Sequence, residues 1–194
     1  MAKLIYGAIM SLDGYVADVD GNFDWGTPDE EVHRFINNRE RSVQHYLYGR
    51  RLYDVMSAWE SMDTSSAPAY FDDFARLWRA AEKVVFSRSL TSPSTGNTRM
   101  EREFRADDVR ELKASATSDI LIGGPEIAAE AFRAGLIDEC ELYIVPVLIG
   151  GGKKGLPDGM EVRLELIQER AFGNGAVFLR YRVVPAVSGS GRSL

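Results

Sequence analysis

The sequence has a single cysteine, Cys140, and only two histidines, His33 and His45. One thiol excludes an intramolecular disulfide, and so few soft and imidazole ligands leave no set for structural zinc. A reducing, cytoplasmic setting without a metal is the expectation. Basic residues are outnumbered, 23 Lys and Arg against 29 Asp and Glu, giving a formal net charge of −6 and a pI near 5.1. Such a chain has no broad basic surface with which to displace counterions from phosphates, which excludes a general nucleic-acid binder while leaving room for a local basic pocket. Long apolar runs are missing too. The opening MAKLIYGAIMSLDGY carries one lysine and an interrupted apolar stretch, so neither a secretory leader nor a later membrane span is predicted.

What is present reads as one domain. A chain of 194 residues with 45% hydrophobic content can bury one sizeable core; a single domain over 1–185 with a flexible tail over 186–194 is expected. KLIYGAIMSL reads as a buried strand entering the loop DGYVADVDGNFDWG. TPDEEVHRFINNRER begins like a helix with Thr27 as N-cap, Pro28 in the first position and an apolar stripe of Val32, Phe35 and Ile36. HYLYG runs through glycine into the helix RRLYDVMSAW; AYFDDFARLWRAAEK puts Phe71, Phe74, Leu77 and Trp78 on one helical face and leads into the strand KVVFSRSL. RMEREF reads as a short edge strand before the helix DDVRELKASA. DILIGG is a buried strand, PEIAAEAFRAGL a helix with Gly135 at its C-cap, and DECELYIVPVLIGGG a long strand ending in glycines. RLELIQERAFGNGAVFLRYRVV closes the chain as a hairpin around Asn174 and Gly175. Strands alternating with helices predict a mainly parallel sheet, with antiparallel strands added by the hairpin at one edge.

Two stretches share a physical arrangement. LYGRRLYD and LIGGPEIA each deliver a buried strand through glycine into the N-terminus of a helix, where free backbone N–H groups and the positive end of the helix dipole favour a phosphate. Chain geometry alone also calls for glycine in such turns, and either motif by itself is a weak signal. Arg50 and Arg51 stand where an acid would ordinarily be preferred, and a guanidinium fork suits phosphate oxygens. Ser87 and Arg88, just past KVVF, form a third polar set.

In order and spacing these segments resemble the dihydrofolate reductase-like superfamily, in particular the reductase domain of the bifunctional riboflavin-biosynthesis deaminase–reductase and its stand-alone relatives. The carriers are SLDGYVA, YGRRLYD, VVFSRS, LIGGPEI and DECELYIVPVLIGGGK, and the likeness spans roughly residues 3 to 184. It implies a dihydrofolate reductase-like α/β fold, with a mixed, mainly parallel sheet of about eight strands flanked by helices, and NADPH stretched across the carboxyl ends of the central strands. Carried over by position, Gly49, Arg50, Arg51 and Leu52 would meet phosphates, Ser87 and Arg88 the 2′-phosphate region, and Gly123, Gly124 and Ile127 the pyrophosphate; Ala8 and Ile9 would lie against the nicotinamide.

FDWGTPDEEVHRF resembles the segment of dihydrofolate reductases that carries a tryptophan and then the pterin-binding acid, which makes Trp25 and one of Glu30 and Glu31, with Asp29 behind them, candidates for the substrate side. A carboxylate there can pair with ring N–H donors and assist protonation beside the carbon that accepts hydride. Three acids in a first helical turn are equally well dipole partners. Asp13, after the first strand, is the second candidate acid; an Asp-Gly turn explains it as well. Tyr15, Trp25 and Trp59 are candidate pocket walls or core residues. Gly151, in the cluster Gly150 to Gly152 before Lys153 and Lys154, is a candidate substrate contact or a solvent loop. Departures count against both named chemistries. Val145, Ala128 and Leu52 replace a Thr, Tyr and Thr of folate reductases, and YDVMSAW replaces the segment that holds ribityl phosphate in riboflavin reductases. The leading expectation is NADPH-dependent hydride transfer to a small planar conjugated substrate. The ribosylamino-pyrimidine reductase of riboflavin synthesis and a non-catalytic nucleotide-binding protein are the alternatives. A homodimer paired through ELYIVPVLI is expected.

Overall fold

Residues 1–185 are described in a computed structural model, and the tail read as flexible lies outside them. The chain runs β1 (Leu4–Ser11), β2 (Tyr15–Ala17), α1 (Glu30–Glu40), β3 (His45–Gly49), α2 (Arg50–Met56), α3 (Ala58–Ser61), α4 (Ala69–Ala80), β4 (Glu82–Phe86), β5 (Thr98–Glu101), α5 (Ala106–Ser115), β6 (Ile120–Gly123), α6 (Pro125–Arg133), β7 (Glu139–Val145), β8 (Lys153–Lys154), β9 (Arg163–Ala171) and β10 (Val177–Val184). An eight-stranded sheet has the order β5-β4-β3-β6-β1-β7-β10-β9. Every pairing from β5 to β7 is parallel, and the hairpin β9–β10 joins antiparallel against β7. This is the predicted architecture, with the short β5 at the edge as read.

The parallel strands are apolar runs because both of their faces are covered. On one face Leu4, Tyr6, Leu47, Ile120 and Ile122 pack with Val109 of α5 and with Ile127 and Phe132 of α6. On the other, Tyr46, Tyr48 and Val85 pack against Phe74 and Trp78 of α4, and Tyr143 and Phe178 against Val32 of α1 and Phe172. No helix among the described residues is long and apolar enough to cross a membrane.

Four local expectations are corrected. The helix α1 is capped by Asp29, not Thr27: the Asp29 carboxylate accepts from the Val32 amide at 3.0 Å, while the Thr27 amide closes the preceding turn on Asp24. RRLYDVMSAW breaks at Ser57 into α2 and the short α3, where the Ser57 hydroxyl donates to the Asp54 carbonyl at 2.8 Å. The long strand ends at Val145, since Pro146 has no N–H to continue a ladder, and the rest of that segment is loop up to β8. Finally, β7 lies between β1 and β10, so its backbone is fully paired and it cannot add a strand across a two-fold axis; the edge on that side of the sheet is β9, exposed along its whole length. Gly135, with φ +64°, follows the capping residue Ala134 and closes α6 by the paired bonds Gly135 N to Phe132 O and Leu136 N to Ala131 O.

Candidate active site

The two glycine turns meet. Gly124, the N-cap of α6, has φ +99°, and a Cβ there would stand 3.3 Å from the Gly49 amide nitrogen; a Cβ on Gly123 would stand 2.4 Å from Leu52 Cδ2. Glycine at 123 therefore lets α2 close onto β6, and glycine at 124 both adopts a backbone that side chains disfavour and lets the β3 turn come alongside. Pro125 takes the first helical position, where its missing N–H costs least.

Along these turns and the neighbouring strand ends runs a cleft of about 1420 Å³. One end is lined by Gly49, Arg50, Arg51, Leu52, Ser87, Arg88, Gly123, Gly124 and Ile127, so the structure brings the predicted phosphate set together. Arg50 is held by Asp54, Nε to carboxylate 2.8 Å. Arg51 reaches Glu126 at 3.9 Å, and Lys153 closes on the same carboxylate; that lysine contact, then residual charge from Arg51, holds the Glu126 carboxyl below its ordinary range despite some burial. Ser87 is buried, its hydroxyl accepting from the Leu90 amide at 3.0 Å. Arg88 has no ion-pair partner among the described residues. Ala8 and Ile9 of β1 also line the cleft.

The other end lies over the sheet face covered by α1 and α4. Here Trp25, His33, Ile36, Glu40, Tyr48, Trp59, Phe74, Glu141 and Tyr143 line the wall. His33 stacks on Phe71 at 5.2 Å and meets Phe74 edge-on; its Nδ1 bonds Asn37 at 3.0 Å, and burial keeps the imidazole below its usual pKa. Glu141 is clamped by Arg39, with Nε 3.0 Å from Oε2. Glu40 accepts from the Tyr46 hydroxyl at 2.7 Å. Burial, outweighing that bond and reinforced by Glu141, pushes Glu40 up to about 7. The Trp25 indole N–H is buried without an acceptor.

Five predicted site residues fall outside these walls. Asp13 accepts from the Ser11 hydroxyl at 2.6 Å and from the Gly150 and Ile149 amides; the serine bond first, then the amides, hold its carboxyl low. It fastens the loop after β7 to the end of β1. Glu30 is exposed and pairs with Arg34 one turn on. Glu31 accepts from the Gly173 amide at 3.0 Å and from Arg170 at 2.8 Å, and so ties the hairpin turn to α1. Val145 pairs with Ser11 at the end of β7. Gly151 packs toward Val19, while its neighbour Gly152 lines the cleft. Glu40, His33, Glu141 and Tyr143 were missed. The stripe His33, Ile36, Glu40 has helical spacing and was the one available signal, an acid on the side of α1 that buries Ile36.

The strand order, the closing hairpin and a cleft over the strand ends define a dihydrofolate reductase-like protein. The chain belongs to the family of the RibD C-terminal domain, whose model matches residues 2–178. It is similar to the uncharacterized protein YyaP of Bacillus subtilis (strain 168), 27% identical over 183 residues, covering 92% of this chain and 94% of that one. Among solved structures, a protein of Shewanella sp. PV-4 provisionally assigned to riboflavin biosynthesis superposes with a TM-score of 0.73 at 20% identity, covering 95% of this chain and 100% of its own. The deaminase/5-amino-6-(5-phosphoribosylamino)uracil reductase of Thermotoga maritima superposes with a TM-score of 0.65 at 13% identity over 94% of this chain, which spans 57% of that longer protein.

Proposed function

We propose that the protein is an NADPH-dependent reductase that transfers hydride to a small, planar, conjugated heterocycle. The observation that carries this reading is the continuity of the cleft, from the joined glycine turns and Arg50, Arg51 and Arg88 at one end, past Ala8 and Ile9, to an aromatic floor with an acid at the other. The fit to a dinucleotide rests on the glycine cradle, which a Cβ at 124 would narrow, and on a serine and an arginine just beyond β4. Gly123, Gly124 and the α6 N-terminus would hold the pyrophosphate, Arg88 and Ser87 the 2′-phosphate. Bound there, the cofactor supplies the hydride; the chain binds, orients and dries the site. Family membership supports a reductase over a non-catalytic nucleotide binder. Asp13 and Glu30, committed elsewhere, are not assigned catalytic roles.

The second reading is the ribosylamino-pyrimidine reductase named in the Thermotoga relative. It is favoured by the family and disfavoured by the floor, which no Lys or Arg lines among the described residues, Arg39 being engaged by Glu141 outside that lining. A dimer through β9 is also proposed, since Leu164 and Leu166, exposed by 39% and 47%, sit on an unpaired edge strand; sedimentation of wild type and of Leu166→Lys tests it. The reductase reading is tested by titrating the protein with NADPH and NADH while following tryptophan emission. Tight NADPH-selective binding, abolished in Gly124→Asp, supports it, and binding of neither nucleotide overturns it.

A further inference from the structure

The floor of the cleft and its mouth differ in their charged groups. Arg50, Arg51, Arg88 and Lys153 line the turn end together with Asp54 and Glu126, whereas the floor offers only acids, Glu141 and Glu40, the last residue of α1. Glu40 has one polar partner, the Tyr46 hydroxyl at 2.7 Å, and no ion pair among the described residues. A carboxyl group accepts through about four lone-pair positions, and a single hydroxyl leaves most of that capacity facing the cleft. The surrounding groups are fixed in other ways. Glu141 of β7 is taken by Arg39. Burial raises Tyr46 and Tyr48 of β3 and Tyr143 of β7, so they stay neutral at ordinary pH. His33 of α1 is lowered.

We infer that Glu40 anchors the substrate's polar edge, accepting from the N–H donors of a planar heterocycle that carries no phosphate, and that it supplies the proton accompanying hydride. This rests on the reductase reading. The step balances: the carbon of a C=N bond takes hydride, with two electrons, from reduced nicotinamide; its nitrogen takes the Glu40 proton; and the carboxylate regains a proton from water. A group poised near 7 is matched to that exchange. A phosphorylated substrate would instead bring a dianion to a floor that presents two carboxyl groups and, among the described residues, no lysine or arginine.

Benzamidine, a planar amidinium that remains charged across the pH range of interest, probes the anchor directly by quenching of tryptophan emission. Wild type is expected to bind it more tightly as pH rises through about 7. Glu40→Gln should bind it roughly ten- to a hundredfold more weakly, with the pH dependence gone and NADPH affinity retained. Tyr46→Phe, which removes the bond favouring the ionised form, should move the benzamidine midpoint to higher pH, and it reports on the site should Glu40→Gln fail to fold. Equal benzamidine affinity in wild type and Glu40→Gln, or no movement of the midpoint in Tyr46→Phe, overturns the assignment. Failure of wild type to bind NADPH overturns the reductase reading and with it the proton transfer, even where the anchor behaves as described.

Discussion

Replacing Gly124 by alanine separates what the cradle costs the fold from what it does for a ligand. Two penalties arise. Gly124 has φ +99°, and holding a residue with a Cβ in a sparsely populated region costs roughly 1–3 kcal/mol. The added carbon would also sit 3.3 Å from the Gly49 amide nitrogen and 3.5 Å from Gly49 Cα, both backbone atoms in a turn that α2 and β3 hold from either side. The closeness of the contact argues for the upper part of that range, about 3 kcal/mol. At roughly 2–4 °C per kcal/mol for a domain of this size, the melting point should fall by about 6–12 °C. Gly135 supplies the control: its φ is +64° and nothing lies within 4 Å of an added Cβ, so Gly135→Ala should cost only the left-handed backbone, about 1 kcal/mol and 2–4 °C. Thermal unfolding followed by circular dichroism gives both numbers, and NADPH titration below the transition should show a loss in Gly124→Ala alone. Equal melting shifts for the two variants would refute the contact argument. A large shift in Gly124→Ala with undiminished NADPH affinity would refute the cradle.

Truncating Arg39→Ala leaves Glu141 buried with Arg180 at 3.5 Å as its remaining cation; urea unfolding should show a loss of about 3 kcal/mol, the lower end for breaking a buried pair. Asp13→Asn removes charge from the acceptor of the Gly150 and Ile149 amides, and hydrogen exchange at those two amides should quicken several-fold while NADPH affinity holds; a parallel loss of affinity would restore Asp13 to the site. Glu30→Gln touches only an exposed pair with Arg34 and should change stability by no more than about 0.5 kcal/mol in the same urea assay. The raised Glu40 also leaves a mark on stability. Its folded-state pKa of about 7 lies above the ordinary 4.5, so the native state holds that proton more tightly, and the resulting stabilisation is complete below about 4.5 and lost as pH rises through about 7. Unfolding curves for wild type and Glu40→Gln should therefore diverge between those values, with wild type losing ground as pH increases, and parallel curves would contradict the assignment.

The sheet was legible because its signals are local and repeated. YLY, VVF and ILI are apolar without alternation, as doubly covered strands must be, and the first and last lead directly into a helix with its own stripe. The turn end of the cleft was legible for the same reason, since Gly124 is demanded by its backbone conformation and Gly123 by the close approach of Leu52. Strand termini were less so. PVLIGGG continues the apolar character of β7, and only the missing N–H of Pro146 marks where the ladder stops. Position in the sheet was invisible, because β7 and β9 are both strand-like in sequence and only the return of β10 onto β7 makes the first interior and the second an edge.

The acids show most clearly where local reasoning stops. Asp13, Glu30 and Glu31 cluster around the loop and first helical turn, where chemistry is ordinarily sought, yet each is satisfied by an amide or a guanidinium close by. Glu40 sits ten residues further on, at the other end of α1, with nothing in its immediate sequence to set it apart from Glu30. Its distinction comes from residues far away in the chain: Tyr46 donates to it, Glu141 and Tyr143 arrive on β7, and Phe74 arrives on α4. An acid becomes chemically useful when its environment leaves its charge unpaid by a neighbouring cation, and that condition is set by how β3, β7 and α4 converge on the end of α1. The same convergence explains why cations gather only at the mouth. There the strand-to-helix turns are open to water, so Arg51 can remain charged with only a distant partner and Arg88 with none among the described residues, whereas Arg39 beneath α1 is tolerated only because Glu141 meets it. Substrate selectivity would then follow from solvent access: an anionic group is accommodated where the arginines are hydrated, and the dry floor is left to a flat, proton-exchanging ring.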